Sequence, residues 1–444
     1  MSQFWCDYAW LGGDTATADV LIDVVDGRIA AVTAGTSQPP VATHLAGLTL
    51  PGLSNAHSHA FHRALRGRTQ AVTGSFWTWR DQMYALAQSL TPDTYFDLAR
   101  AVFGEMLLAG VTCVGEFHYL HHGEGGARYT DPNAMGVAVV AAAKAAGIRI
   151  TLLDTCYLHG GIGIAPNEVQ MRFSDGSAEA WAERASSLAP DDGARVGAAI
   201  HSVRAVDPAS MSVVADWAAH RSAPLHAHVS EQHAENEQCR IAHGCTPTEV
   251  LSDAGAVNHR FTAVHATHLS DRDIALLGGS RSTICMCPTT ERDLADGIGP
   301  TTRLRAAGTH ISLGSDSHAV IDLFEEARAV ELNERLSSNI RGSHTAATLL
   351  EAATLHGHRS LGWPDAGVIR TDAVADFVSV RLDSVRTAGA AAGSLLETAV
   401  FAASAADVHH VVVAGEVRVR DGAHVSFDVA AELGRTLRTV WEGA

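Results

Sequence analysis

The sequence predicts an α/β protein, a distorted (β/α)8 barrel of the TIM type with a small β-sandwich formed from both chain ends. Eight short apolar runs alternate with longer amphipathic stretches through the middle of the 444-residue chain. Most of these runs finish on a polar residue, often His, Asp or Glu. The two chain ends consist instead of short strand patterns around tight turns.

The eight runs have the length of buried parallel strands, and stretches such as "DTYFDLARAVFGEMLLAG" between them have helical periodicity. The predicted strands occupy residues 48–59, 110–117, 149–158, 196–203, 224–231, 261–269, 282–288 and 310–317. In such a barrel the C-terminal strand ends form the catalytic face. The polar residues that end the runs should therefore converge on one mouth.

The chain ends contain "DVLIDVVDGRIAAVTAG", with an Asp-Gly turn, and "DAVADFVSVRL" and "VHHVVVAGEVRVRDG" farther on. We expect residues 1–50 and 365–444 to form one composite β-sandwich domain that closes with a C-terminal helix. Residues 51–364 would form the barrel.

Composition excludes several function classes. The formal net charge of −17 disfavours nucleic acid and anionic membrane as partners, because both need a basic face. We find no secretory signal and no apolar run of about 18 residues, so we expect a cytoplasmic protein. Seven scattered cysteines without a C-x-x-C pair argue against a disulfide framework or a thiolate zinc site.

The first predicted strand ends in "NAHSHAFHRAL", which places His57, His59 and His62 within six positions. Alternate residues of a strand share a face, so His57 and His59 can bind one ion, whereas His62 is expected in the loop that follows. The alternative is a chance pair in a chain with 25 histidines. Matching ligands at other strand ends favour the metal.

Those matching ligands are His228 in "PLHAHVSE" and Asp316 in "SLGSDSH". Three imidazoles and one carboxylate, completed by water, suit one divalent ion, zinc in preference to Fe(II). Binuclear hydrolases of this architecture usually carry a modified lysine on the fourth strand. The single lysine, Lys144, lies in a predicted helix before the third strand, which favours one metal.

Two further strand ends offer catalytic groups. Glu231, three residues past His228, could donate a proton to a leaving group, and Asp316 could accept one from the water. His265 could polarise the substrate or hold the hydroxide. The alternatives are a solvated glutamate in the first turn of a helix for Glu231 and a core histidine for His265.

The segments "PGLSNAHSH", "HVSE", "HATH" and "SLGSDSH", in this order and spacing, resemble the mononuclear deaminase branch of the amidohydrolase superfamily. The resemblance covers nearly the whole chain. It implies the same four metal ligands and makes Glu231 and His265 the catalytic pair.

A narrower resemblance, in "HSHAFHRALRG", "FWTWRDQMY", "EFHYLHH", "HSVRAV" and "HVSEQHAENEQCRIAHGCTPTEVL", is to the formimidoylglutamate deiminase family of histidine degradation. It implies hydrolysis of N-formimidoyl-L-glutamate to N-formyl-L-glutamate and ammonia by metal-bound hydroxide, in a homodimer. It also assigns the two substrate carboxylates to Arg80, Tyr119, His201 and Arg204. His62 replaces the glutamine of better-known members; an imidazole still donates to a carboxylate, or it shifts the preferred acid.

Two rival functions remain at this stage. One is a deaminase of another amidine or of a nucleobase-type ring on the same catalytic frame, although a flat neutral ring has no use for two arginines. The other is an inactive barrel that serves as a scaffold. Such a protein has often lost metal ligands, and this chain retains them.

Overall fold

The computed structural model describes residues 2–70 and 76–442. The described residues contain sixteen strands, which fall into two eight-stranded sheets. The strands are β1 (Ser2–Ala9), β2 (Thr17–Val25), β3 (Arg28–Thr33), β4 (Thr43–Pro51), β5 (Leu53–Ser58), β6 (Val111–His118), β7 (Arg149–Cys156), β8 (Ala194–Ile200), β9 (Leu225–Val229), β10 (Phe261–His265), β11 (Thr283–Met286), β12 (His310–Leu313), β13 (Phe377–Val380), β14 (Val408–Val413), β15 (Glu416–Arg420) and β16 (Ala423–His424).

The barrel consists of β5 to β12, which pair in sequence order and are all parallel. The first strand, β5, meets the segment after the last strand, β12, through a parallel bridge between Ser58 and Asp316, which closes the barrel. There the amide of His59 donates to the carbonyl of Asp316 at 3.2 Å, and the amide of Asp316 donates to the carbonyl of His57 at 3.0 Å. The predicted eight-stranded barrel is confirmed, and its seam runs through three predicted metal ligands.

Helices separate the barrel strands and extend to the chain end. They are α1 (Phe76–Ser89), α2 (Pro92–Leu108), α3 (Ala134–Ala146), α4 (Ala178–Ser186), α5 (Pro208–Arg221), α6 (His233–His243), α7 (Pro247–Asp253), α8 (Asp271–Gly279), α9 (Pro288–Asp293), α10 (Thr301–Ala307), α11 (Leu323–Ser338), α12 (Ala346–Glu351), α13 (Gly357–Ser360), α14 (Leu395–Phe401) and α15 (Val429–Glu442). Within residues 2–70 and 76–442, none of them has the length and apolar character that crossing a bilayer would require. Lys144 lies in α3, as expected, where it pairs with Asp191 on the surface.

Strands from both chain ends form the second sheet, in the order β16-β15-β14-β13-β4-β1-β2-β3. Its core joins residues distant in sequence, since the rings of Phe4 and Phe377 meet edge to face at 4.9 Å. The predicted Asp-Gly turn joins β2 to β3. Asp26 and Gly27 both have positive φ, 48° and 74°, as a type I′ turn requires.

The single run predicted over residues 48–59 is wrong, because it contains two strands that belong to different sheets. β4 ends at Pro51 in the second sheet, called here the terminal sheet because both chain ends form it, and β5 begins at Leu53 in the barrel. A Cβ atom on Gly52 would lie only 2.2 Å from Oγ1 of Thr112. The absence of a side chain therefore lets the chain pass from one sheet to the other at this point.

Candidate metal and catalytic site

The four predicted ligands meet at the C-terminal mouth of the barrel. Nε2 of His57 and Nε2 of His59 each lie 3.3 Å from Oδ1 of Asp316, and Nε2 of His228 lies 3.1 Å from Nε2 of His57. One donor atom from each residue lies within 4.8 Å of all the others. Tetrahedral ligands at zinc distances of about 2.0–2.1 Å are separated by roughly 3.3 Å. This donor set therefore fits a divalent metal ion.

Backbone carbonyls orient two of the imidazoles. Nδ1 of His59 lies 3.0 Å from the carbonyl of Phe117, and Nδ1 of His228 lies 2.9 Å from the carbonyl of His201. A carbonyl only accepts, so each Nδ1 carries the proton and each Nε2 presents its lone pair to the cluster. Burial lowers the pKa of His57 to about 3. Neutral imidazoles are the form that binds a metal.

Two site residues adopt left-handed backbone conformations, which turn their side chains into the mouth. His265 ends β10 with φ of 66°, and Asp316 lies three residues past β12 with φ of 43°. Such conformations cost non-glycine residues on the order of 1–3 kcal/mol. The hydrogen bonds at the barrel seam hold Asp316 in place, so its geometry comes from barrel closure.

His265 lies between three carboxylates. Its Nε2 is 3.7 Å from Oδ2 of Asp316 and 3.9 Å from Oε1 of Glu231, and its Nδ1 is 3.3 Å from Oε1 of Glu291. Burial lowers the pKa of His265, but the hydrogen bond to Glu291 and the surrounding negative charges outweigh burial and hold the pKa well above its usual value. The sequence reasoning missed Glu291, although its place shortly after a predicted strand end was the available signal.

Glu231 follows β9 and is only 5% exposed, unlike the solvated glutamate of the alternative interpretation. Glu235 supports its loop by accepting hydrogen bonds from the amides of Ser230 and Glu231, both at 3.3 Å. Nη2 of Arg204 donates to Oε2 of Glu231 at 2.9 Å. The sequence did not indicate this ion pair between a predicted substrate-binding residue and a predicted catalytic residue.

A cavity of about 220 Å³ opens over the cluster. Its floor includes His59, His228, Glu231 and Asp316. All five predicted substrate-binding residues line its wall, namely His62, Arg80, Tyr119, His201 and Arg204. The structure thus brings together every site residue that was predicted, with His57 and His265 fully buried beside the floor.

Aromatic rings form much of the remaining wall. His62 lies in the 3-10 turn after β5, and its Nε2 is 2.8 Å from the hydroxyl of Tyr119. The guanidinium carbon of Arg80 is 5.4 Å from the ring centre of Tyr84. Tyr157 and Phe173 complete this part of the wall, and the sequence reasoning identified neither of them. Tyr157 lies at the end of the predicted strand 149–158, which was the available signal, whereas Phe173 lies outside the predicted strands.

A buried carboxylate behind the ligands was also missed. Glu116 is fully buried, and its oxygens accept hydrogen bonds from the hydroxyl of Ser58 and the amide of Ala60, each at 2.6 Å. Ser58 lies between the two histidines of the H-x-H pair, and its Oγ is also 3.1 Å from Nε2 of His318. The end of β5 is therefore held from behind by side chains of two other strand ends.

We expect Glu116→Gln to remove a pH dependence of stability. Burial raises the pKa of Glu116 from 4.5 to about 7, so the folded protein binds a proton that the unfolded chain has released. The resulting stability is present below pH 4.5 and is lost as the pH rises to about 7, by up to about 3 kcal/mol. Glutamine reproduces the protonated acid, since its amide donates to Ser58 and accepts from Ala60.

Urea unfolding of the metal-free protein between pH 4.5 and 8 measures this effect. As the pH rises through that window, the unfolding free energy of Glu116→Gln should increase relative to that of the wild type, because the variant lacks the Glu116 contribution that is lost. Glu237→Gln, an exposed change on α6, controls for the loss of a carboxylate. An equal pH dependence of the unfolding free energy in all three proteins would show that Glu116 does not titrate on unfolding.

The fold and the cluster define the class, a (β/α)8-barrel protein with a candidate metal centre at its C-terminal mouth. The chain belongs to the amidohydrolase family, whose family model ("Amidohydrolase family") matches residues 48–418. It is 37% identical over 404 residues to formimidoylglutamate deiminase of Pseudomonas aeruginosa, which covers 88% of each chain. It is 30% identical to 8-oxoguanine deaminase of the same species, over 93% of this chain and 92% of that one.

Among solved structures, an amidohydrolase from Brucella melitensis superposes with a TM-score of 0.91 at 33% identity. The match covers 99% of this chain and 100% of the other. This solved amidohydrolase therefore shares the barrel and the sheet built from both chain ends.

Proposed function

We propose that the protein is a metal-dependent deaminase that hydrolyses N-formimidoyl-L-glutamate to N-formyl-L-glutamate and ammonia. One observation carries the proposal. A single cavity has the candidate metal cluster and Glu231 on its floor, and two arginines, Arg80 and Arg204, on its wall. The amidine of N-formimidoyl-L-glutamate suits the metal cluster and Glu231 on the floor, and its two carboxylates suit the two arginines on the wall. The similarity to formimidoylglutamate deiminase supports this substrate over others.

One divalent ion, zinc in preference to iron, would be held by His57, His59, His228 and Asp316. When bound, such an ion supplies a water that ionises near neutral pH. A second possible donor group, His265, Cys287 and Asp316, shares its carboxylate with the first. Burial raises the pKa of Cys287 well above its usual value, so its thiol stays protonated and is a poor ligand.

Three residues of the site, Asp316, Glu231 and His265, move protons or stabilise charge. Asp316 accepts the proton of the attacking water. Both protons come from the one water that is consumed: Glu231 delivers the first to the imino nitrogen, and the second, taken up by Asp316, passes through Glu231 to the departing nitrogen as the C–N bond breaks. His265, whose Nε2 faces Glu231 and Asp316, stabilises the tetrahedral species at the formimidoyl carbon.

The wall residues orient the dicarboxylate tail. Forked guanidinium donors bind carboxylates in two parallel hydrogen bonds, and they offset locally the net charge of −17. Arg204 contacts Glu231 and lines the cavity, so it can hold the acid and the tail together. Tyr119, His201 and His62 add donors, and the fixed tail aligns the reacting carbon.

Arg80→Met should raise KM for N-formimidoyl-L-glutamate roughly 10- to 100-fold, because a charge-assisted hydrogen bond contributes about 1.5–3 kcal/mol. Methionine keeps an apolar stem against Tyr84 and removes the charge. A matched substrate, an N-formimidoyl amino acid with one carboxylate, should show a smaller rise in KM. Arg260→Met is the control, since Arg260 is exposed and precedes β10 at the opposite end of the barrel. An equal rise in KM for both substrates would show that Arg80 does not bind the second carboxylate.

The proposed function is tested by ammonia release from N-formimidoyl-L-glutamate with zinc-loaded protein. Guanine, cytosine, 8-oxoguanine and N-guanidino acids are assayed beside it. We expect efficient turnover of the first compound alone. Turnover of a nucleobase instead would establish the rival deaminase, and failure to bind metal would revive the scaffold interpretation.

We further propose a homodimer in the cytoplasm, without nucleic acid or membrane partners. The homodimer follows from the family resemblance, and the strongly acidic composition supports the absence of polyanionic partners. Sedimentation velocity at micromolar concentration tests the oligomeric state directly. A monomer under those conditions would contradict it.

A further inference from the structure

A second group of metal-binding side chains lies outside the barrel, on the terminal sheet. His409 and His410 belong to β14, and Asp421 lies in the turn between β15 and β16. One donor atom from each lies within 4.8 Å of the others. The two Nδ1 atoms are 2.9 Å apart, and Nε2 of His409 is 3.1 Å from Oδ1 of Asp421.

A β-bulge brings the two histidines together. Ser379 pairs with His410 and Val380 pairs with Val408, which leaves His409 as the extra residue in its strand. Consecutive side chains of a regular strand point to opposite faces, and a bulge redirects one of them. The irregularity in β14 therefore gives two imidazoles to one place.

The backbone also holds the carboxylate nearby. The amide of Gly422 donates to the carbonyl of His409 at 3.0 Å, which joins the β15–β16 turn to the bulge. Asp421 is the first residue of this Asp-Gly turn, and its side chain is largely exposed. The carboxylate can therefore adjust its position without disturbing the sheet.

The protonation states suit metal binding. Two Nδ1 atoms 2.9 Å apart leave room for one proton between them. His410 is 7% exposed, and burial, reinforced by His409, lowers its pKa to about 4. Its imidazole is therefore in the neutral form that binds a metal.

We propose that His409, His410 and Asp421 bind one borderline divalent transition-metal ion, of which Zn²⁺ is the type. Two imidazoles and a carboxylate, with water completing the shell, are the ligands that such ions select. The contacts of His409 with His410 and with Asp421 use different ring nitrogens, so binding of one ion requires the exposed Asp421 side chain to rotate toward the paired Nδ1 atoms. The ion would crosslink the β15–β16 turn to the bulge of β14, independently of the barrel site and of the reaction there.

Equilibrium dialysis of tag-free protein with its barrel site already loaded tests this site, with Zn²⁺ as the probe. We expect two ions per chain at saturation in the wild type. His409→Ala, His410→Ala and Asp421→Asn should each weaken the second ion on the order of 10-fold or more, while the first ion and turnover remain. His220→Ala, an exposed histidine change on α5, should leave both ions bound.

Thermal unfolding distinguishes an ion that crosslinks the two segments from an ion bound weakly elsewhere on the surface. Excess Zn²⁺ should raise Tm in the holo wild type and in His220→Ala, and raise it less in His409→Ala, because only binding to the folded state stabilises it. Asp421→Asn changes an exposed turn residue that asparagine also suits, so it is expected to fold. One ion per chain in the wild type, or a second ion that persists in all three site variants, would overturn the proposal.

Discussion

Glu231→Gln is expected to lower kcat by roughly 10²–10⁴-fold, the usual contribution of a positioned general acid, and to leave the metal content unchanged. Glutamine has the shape of the glutamate but cannot donate an acidic proton. Its amide oxygen can still accept from Nη2 of Arg204, as Oε2 of Glu231 does. Because Glu231 is not among the four residues that could hold the metal, the cluster stays intact.

Steady-state kinetics and metal analysis of the same preparation measure this result. Glu237→Gln makes the identical chemical change at an exposed position of α6 and should retain full activity. If Glu231→Gln kept wild-type kcat, another group would donate the proton, and the role assigned to Glu231 would be withdrawn. Loss of both metal and activity would instead indicate a structural role.

Asp316→Asn is expected to weaken metal binding on the order of 10–100-fold or more and to lower kcat further even when metal is supplied in excess. The change removes the only anionic member of the cluster and the proposed acceptor of the water proton. Asparagine tolerates positive φ, so the backbone at φ of 43° should be kept. The fold should survive while both functions of the carboxylate are lost.

Chelator competition measures the affinity, and kcat is measured at saturating zinc. Asp372→Asn is the matched control, since Asp372 has φ of 68° in an exposed loop before β13. It should change neither quantity. Unchanged metal affinity in Asp316→Asn would remove Asp316 from the ligand set, whereas unchanged kcat at full occupancy would remove it as the proton acceptor.

Much of the site could be predicted because its signals are local. His57 and His59 share a face by strand parity alone, and His228 and Asp316 follow from the rule that C-terminal strand ends meet at one mouth. The predicted residues do converge there. The family resemblance contributed the substrate-binding role of the wall residues. Strand ends place His201 and Arg204 at the mouth, whereas Arg80 lies in a predicted loop that spacing alone could not place.

Contacts between distant segments could not be predicted in the same way. The ion pair of Arg204 with Glu231 joins two different strand ends, and the support of Ser58 by Glu116 joins two others. Each depends on the register between strands and on rotamers chosen by packing. Neither of these is encoded in a periodic pattern within one segment.

By itself, the sequence determined which donor groups stand at the strand ends and hence the kind of chemistry the mouth supports. The tertiary structure alone decided how those groups are presented. The carbonyls of Phe117 and His201 select the ligand tautomers, and closure of the barrel at Ser58 sets the backbone of Asp316. The physical reason is that donor identity is a property of single residues, whereas orientation depends on hydrogen bonds across the whole barrel.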